Sequence, residues 1–115
     1  MNKAKIIFAS DLAPIRGFSK IMKEEPQAVY GDLLPRLQQA DYNIVNLESP
    51  LCCPDGLITK SGAAFSGEPE HIASLKAGNF KAVVCANNHT FDSGLSGFRM
   101  TCDLLAKNNI SKVGA

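Results

Sequence analysis

Three short apolar runs, each broken off by a cluster of polar residues, constrain this chain more than any other feature. Ile6-Ile7-Phe8-Ala9 runs into Ser10-Asp11. A second run over 43–47 ends in Asn46-Leu47-Glu48, and a third over 81–86, built on Val83-Val84, ends in Asn87-Asn88-His89 with Asp92 close behind. Runs of this length, β-branched and bounded by turn formers, read as buried strands. The segments between them read as helices. A helical turn is expected at 18–23. A helix is expected from an Asp32 N-cap to about Ala40, with Leu33, Leu34 and Leu37 inward and Pro35 tolerated in the first turn. Pro69 opens another helix, which Gly78-Asn79 stops near Ala77. A last helix over 94–107, capped by Asp92 or Ser93, carries Leu95, Phe98, Cys102 and Leu105 on one face and ends at Asn108-Asn109. Residues 110–113 read as a fourth strand. This β-α-β alternation predicts an α/β fold: a mainly parallel sheet with flanking helices and right-handed crossovers.

With 115 residues, 45% apolar and 20% charged, the chain has material for one domain and one core. The net charge is +1 and Lys and Arg are scattered, so no basic face for nucleic acid is expected. No apolar run approaches the roughly 18 residues of a membrane span. The Ile6-to-Ala9 run is too short for a secretory signal, and Asp11 follows it at once, so a cytoplasmic location is expected. The four cysteines, Cys52, Cys53, Cys85 and Cys102, form no C-x-x-C pair and are expected to be reduced thiols, two of them in the core. The last strand is followed at once by Gly114-Ala115, without a helix to cover it. Residues 1–115 are therefore expected to form a single, truncated domain.

In open α/β sheets, ligands bind beyond the carboxyl ends of the strands. Asp11, Asn46, Glu48, Asn87, Asn88 and His89 all follow strands, so neighbouring strands would bring them to one edge. Two carboxylates, amides and an imidazole suit Mn, Fe or Zn better than calcium or a thiolate-seeking metal. A bridging carboxylate could hold two ions roughly 3.5–4 Å apart, a pair that orients phosphate and activates water. Taken singly, each residue has an ordinary role: Asp11 caps a turn, Glu48 faces solvent, Asn87-Asn88 ends a strand, and His89 is a hydrogen-bonded, partly buried histidine. For Asp92 the helix N-cap is the preferred role. The joint placement carries the functional reading. The stretch after the first strand, Asp11-Leu12-Ala13-Pro14, lacks the glycine-rich turn of a dinucleotide-binding fold.

Asn46-Leu47-Glu48-Ser49-Pro50-Leu51 and the segment Ala86-Asn87-Asn88-His89-Thr90-Phe91-Asp92-Ser93-Gly94 resemble the signature segments of the CapA-type capsule and poly-γ-glutamate biosynthesis family. Lys60-Ser61-Gly62 through Phe65, Glu68-Pro69-Glu70, Ala40-Asp41 and Val113-Gly114-Ala115 follow its pattern in the same order. The resemblance implies the calcineurin-like metallophosphoesterase superfamily, with this chain as the N-terminal half of an αββα sandwich. It implies Asp11, Glu48 (as a bridging ligand) and Asn88 as metal ligands, and His89 as general acid or transition-state stabiliser. Asn46, Asn87 and Asp92 would support them. It implies divalent metal ions, two in the complete protein.

Two departures stand out. Ala13 occupies a position where the superfamily often has histidine. Further histidine ligands would come from a C-terminal half, whereas this chain has only His71 and His89, and His71 reads as a surface or capping residue. The resemblance therefore implies a metal-dependent phosphoesterase whose isolated N-terminal segment is inactive, acting on a phosphoester and completed by the missing half or by self-association. The alternative is a non-catalytic role in making or exporting an anionic polymer such as poly-γ-glutamate.

Overall fold

A computed structural model describes residues 2–115. Strands β1 (Ile6–Leu12), β2 (Tyr42–Leu47), β3 (Phe80–Val84) and β4 (Ser111–Val113) form one sheet in that order, every pair parallel. Helices α1 (Gly17–Glu24), α2 (Leu34–Gln39), α3 (Ile72–Ala77) and α4 (Gly94–Lys107) connect them, with 3-10 turns at Ala28–Leu33 and Pro69–His71. The α/β architecture is the one the apolar runs predict. No helix among the described residues is long and apolar enough to cross a membrane.

The strands follow one another in sheet order, so every crossover steps the same way. Right-handed crossovers then put all the helices on one face. Burial agrees: Asn43, Val45 and Leu47 of β2 are buried, and Val45, Leu47, Leu12, Phe80 and Val83 share a core with Leu37, Leu75 and Leu105. On the opposite face Ile6, Tyr42 and Val113 are exposed, and Phe8 is 76% exposed. β1 and β4 are also the two edges of this sheet. A face and edges of this kind favour self-association. Phe8→Lys is accordingly expected to leave the urea midpoint nearly unchanged while lowering concentration-dependent association in sedimentation velocity.

Several helix details differ from the sequence reading. Asp32 caps nothing: it lies in the 3-10 turn, α2 starts at Leu34 without a side-chain cap, and Leu33 is exposed. A 3-10 turn winds more tightly than an α-helix, so it rotates Leu33 away from the face that Leu37 buries. Along α4 the buried residues are Gly97, Thr101 and Leu105, while Leu95 is 53% exposed. The glycine lets the helix approach the loop backbone closely, with the ideal Cβ position at Gly97 only 2.6 Å from the Cys52 carbonyl oxygen. That approach turns the Gly97–Thr101–Leu105 stripe inward.

Two asparagines hold the helix ends. The buried Asn43 amide donates to the Leu37 and Gly78 carbonyls at 2.8 and 3.1 Å, and Asn79 donates to Leu37 and Ala40 at 3.0 and 3.1 Å. These bonds satisfy carbonyls that the C-termini of α2 and α3 leave free. Asn79 itself adopts φ 56, a left-handed conformation that Asn tolerates better than most residues.

Candidate functional site

The polar clusters meet at the carboxyl edge of the sheet. β1 carries one residue more than β2 between the Phe8↔Ile44 and Asp11↔Asn46 pairs, a bulge that sets Asp11 beside Asn46. The Asn46 amide donates to Asp11 Oδ1 at 2.7 Å. Asn87, just past β3, donates to Asn46 Oδ1 at 3.1 Å and to the Leu47 carbonyl at 2.9 Å. Its own Oδ1 accepts the His89 backbone N–H at 3.0 Å. One hydrogen-bonded series thus crosses the ends of three strands, from Asp11 through Asn46 and Asn87 to the turn that carries His89.

Glu48 extends the ladder past β2 by donating its N–H to the Leu12 carbonyl at 3.0 Å. Strand alternation puts its side chain on the same face as Asn46. The side chains of Glu48 and of the exposed Asn88 make no hydrogen bond among the described residues.

The second half of the site is a buried carboxylate. Asp92 was expected to cap α4, but Ser93 holds that position and makes no side-chain cap bond. Asp92 is instead 1% exposed and bonded on both oxygens. Oδ1 takes Lys60 Nζ at 2.6 Å; Oδ2 takes His89 Nδ1 at 2.7 Å and the Phe65 N–H at 2.9 Å. The Asp92 carbonyl accepts the Ile58 N–H at 2.8 Å. Asp92 therefore ties the 48–67 loop to the His89 turn. Burial pushes its carboxyl pKa up, but the bonds from Lys60, His89 and the Phe65 N–H outweigh burial and hold it below the usual carboxylate range.

An ionised Asp92 can only accept, so His89 Nδ1 carries a proton and donates to it. Lys60 Nζ lies 3.4 Å from Nδ1. Both atoms are then donors, and they share Asp92 rather than bond to each other. Lys60 also donates to the Asn88 carbonyl at 3.0 Å. Phe65 stacks on the imidazole with centroids 4.0 Å apart, leaving His89 13% exposed. His89 is thus an imidazole fixed through Nδ1, with Nε2 unbonded among the described residues.

Sequence reasoning gave no role to Lys60 and Phe65. Their signal was weak: a lysine and an aromatic in a long loop, on matched positions but without a strand to place them. His71 is buried rather than on the surface. Its Nδ1 accepts the Glu68 N–H at 2.8 Å, so Nε2 is the donor to the Ser19 carbonyl at 2.9 Å. It closes the turn before α3 and pins it to α1, away from the candidate site. All four cysteines are free: Cys52 and Cys85 are buried, Cys102 is half-buried and Cys53 is exposed.

Among the described residues, no three His, Cys, Asp or Glu side chains gather closely enough to hold an ion. One carboxylate oxygen of Asp11 is already engaged, and Asp92 and His89 Nδ1 are spent on each other. The remaining donors do not make up the ligand set of a two-ion centre.

A family model described as "Bacterial capsule synthesis protein PGA_cap" matches residues 5–115. No curated protein matches the chain.

Proposed function

This chain belongs to the bacterial capsule synthesis protein family, and from that premise we propose that it supplies part of a metal-dependent phosphoester-hydrolysing site. The observation that carries the reading is the hydrogen-bonded series across three strand ends, Asp11–Asn46–Asn87, leading into an imidazole backed by a buried carboxylate.

In this reading Asp11, Glu48 and Asn88 offer oxygen donors to a divalent cation such as Mn, Fe or Zn. Such a cation would supply Lewis-acid charge next to a phosphate. The rest of the work falls to the chain itself. Asn46 fixes the Asp11 rotamer, and Asn87 fixes the turn. Asp92 holds the His89 tautomer and stabilises the imidazolium formed when Nε2 takes up a proton, while Phe65 shields the ring from water. Protonated at Nε2, His89 can return that proton to a leaving oxygen, a role worth about 10²–10⁴-fold in rate.

The donor count makes the 115-residue chain a weak metal binder and a poor catalyst alone. Mn²⁺ titration is expected to broaden the Asp11 and Asn88 NMR signals saturably and weakly, and Asp11→Ala should abolish the effect. Turnover of bis(p-nitrophenyl) phosphate should stay near the buffer rate. Brisk Mn²⁺-dependent turnover, lost in both Glu48→Ala and His89→Ala, would sink the partial-site reading and keep the phosphoester one. Mn²⁺ without effect at Asp11 and Asn88 would sink the metal assignment. Metal-dependent binding of a polycarboxylate, with no phosphoester turnover, would favour a polymer-handling role instead.

A further inference from the structure

Behind β1 lies a cavity of about 550 Å³, the size of a small-molecule site. Its floor is apolar and buried: Leu12, Met22, Val45 and Phe80. Its rim is exposed and also apolar at Phe18 and Leu33, with Ser10, Asp11 and Arg16 beside them. Arg16 forms no ion pair among the described residues. It also adopts φ 55, ψ −135, a conformation uncommon for a residue with a side chain. The depth of the cavity therefore offers dispersion and apolar burial, while its opening offers one unpaired cation, Arg16, and the Asp11 carboxylate, which Asn46 holds through Oδ1.

We propose that this cavity binds an amphiphile: a single apolar chain on the Met22–Phe80 floor, with one anionic head at Arg16. The cavity gives no purchase to a polymer charged along its length, because burying each unpaired carboxylate would cost several kcal/mol or shift its proton equilibrium. The identity of the head as a phosphate ester rests on the phosphoester reading, since Asp11 shares the rim; the binding of an anionic amphiphile does not.

The test uses the 115-residue chain with ¹³C-methyl methionine, in EDTA, so that its outcome is independent of any metal. Met22 lies on the cavity floor, and exposed Met100 on α4 serves as the reference. Decyl phosphate, kept below its micelle-forming concentration, is expected to shift the Met22 methyl saturably and leave Met100 in place. Arg16→Gln should weaken decyl phosphate about tenfold, the scale of one charge-assisted hydrogen bond, and leave decanol binding unchanged. Val29→Phe and Ala13→Leu, which fill the cavity, should weaken both ligands.

An unmoved Met22 overturns the proposal. So does decyltrimethylammonium or decanol binding as tightly as decyl phosphate, or a Met22 shift that Met100 shares without saturation. Undiminished binding in both cavity-filling variants that retain native shift dispersion would overturn it too. Failure here leaves the Mn²⁺ and turnover results untouched, so the two readings fall separately.

Discussion

Asp92→Ala is expected to lower the unfolding free energy by about 3–5 kcal/mol, the scale of breaking a buried ion pair from one side. The carboxylate takes three donors from two segments, and removing it leaves the Phe65 N–H and His89 Nδ1–H without an acceptor and Lys60 with only the Asn88 carbonyl. Lys60 is 22% exposed and can partly rehydrate, which favours the lower end of that range. Urea unfolding measures the loss. Replacing both partners, as Lys60→Met with Asp92→Leu, should cost less than Asp92→Ala alone, because no charge is then stranded. A loss below about 1 kcal/mol for Asp92→Ala would show that the pair behaves like an exposed one.

The same carboxylate sets a pH dependence. Its folded pKa lies below its unfolded value of about 3.9. Its contribution is therefore complete above that unfolded value and is lost as pH falls through the lower folded one. Urea midpoints between about pH 5 and pH 2 should fall more steeply for the wild type than for Asp92→Asn. Parallel curves would place the acid sensitivity elsewhere.

Gly97→Ala is expected to destabilise by about 2 kcal/mol, although alanine is the better helix former. In the middle of α4 the exchange gains about 1 kcal/mol of helix propensity. The new methyl would sit 2.6 Å from the Cys52 carbonyl oxygen and closer still to Ser93, so the helix has to retreat from a backbone atom that cannot rotate away. Overpacking of this kind costs up to about 3 kcal/mol, and the clash wins. Gly17→Ala makes the contrast. A Cβ there meets nothing within 4 Å, so it should stabilise by several tenths of a kcal/mol. Thermal unfolding of the two variants gives the signs directly. Retreat of α4 should also move the turn over residues 87–93, visible as a changed His89 environment in NMR.

The strands were legible because they are short apolar runs, β-branched and punctuated by turn formers, a local signal that does not depend on what packs against it. The helix-bounding signals at Pro69, Gly78-Asn79 and Asn108-Asn109 were legible for the same local reason. The convergence of Asp11, Asn46 and Asn87 could be anticipated from the strand-end rule alone. Their hydrogen bonds could not, because a one-residue bulge in β1 decides which side chain stands opposite Asn46. Asp92 was misread for an instructive reason. A carboxylate before a helix is usually its cap, and here His89 three residues earlier, together with Lys60 and the Phe65 N–H from the long loop, gives it stronger partners.

The sequence alone therefore determined the α/β class, the order of the elements and the list of polar residues at the strand ends. Those follow from local propensity and from the chirality of crossovers, which act on each segment without knowledge of the others. The tertiary structure alone decided that Lys60 and Phe65 stand against His89, that His71 is buried, and that α4 lies on its Gly97 face. Each of these depends on long-range closure of the 48–67 loop or on the fit of one surface to another, and residue spacing encodes neither.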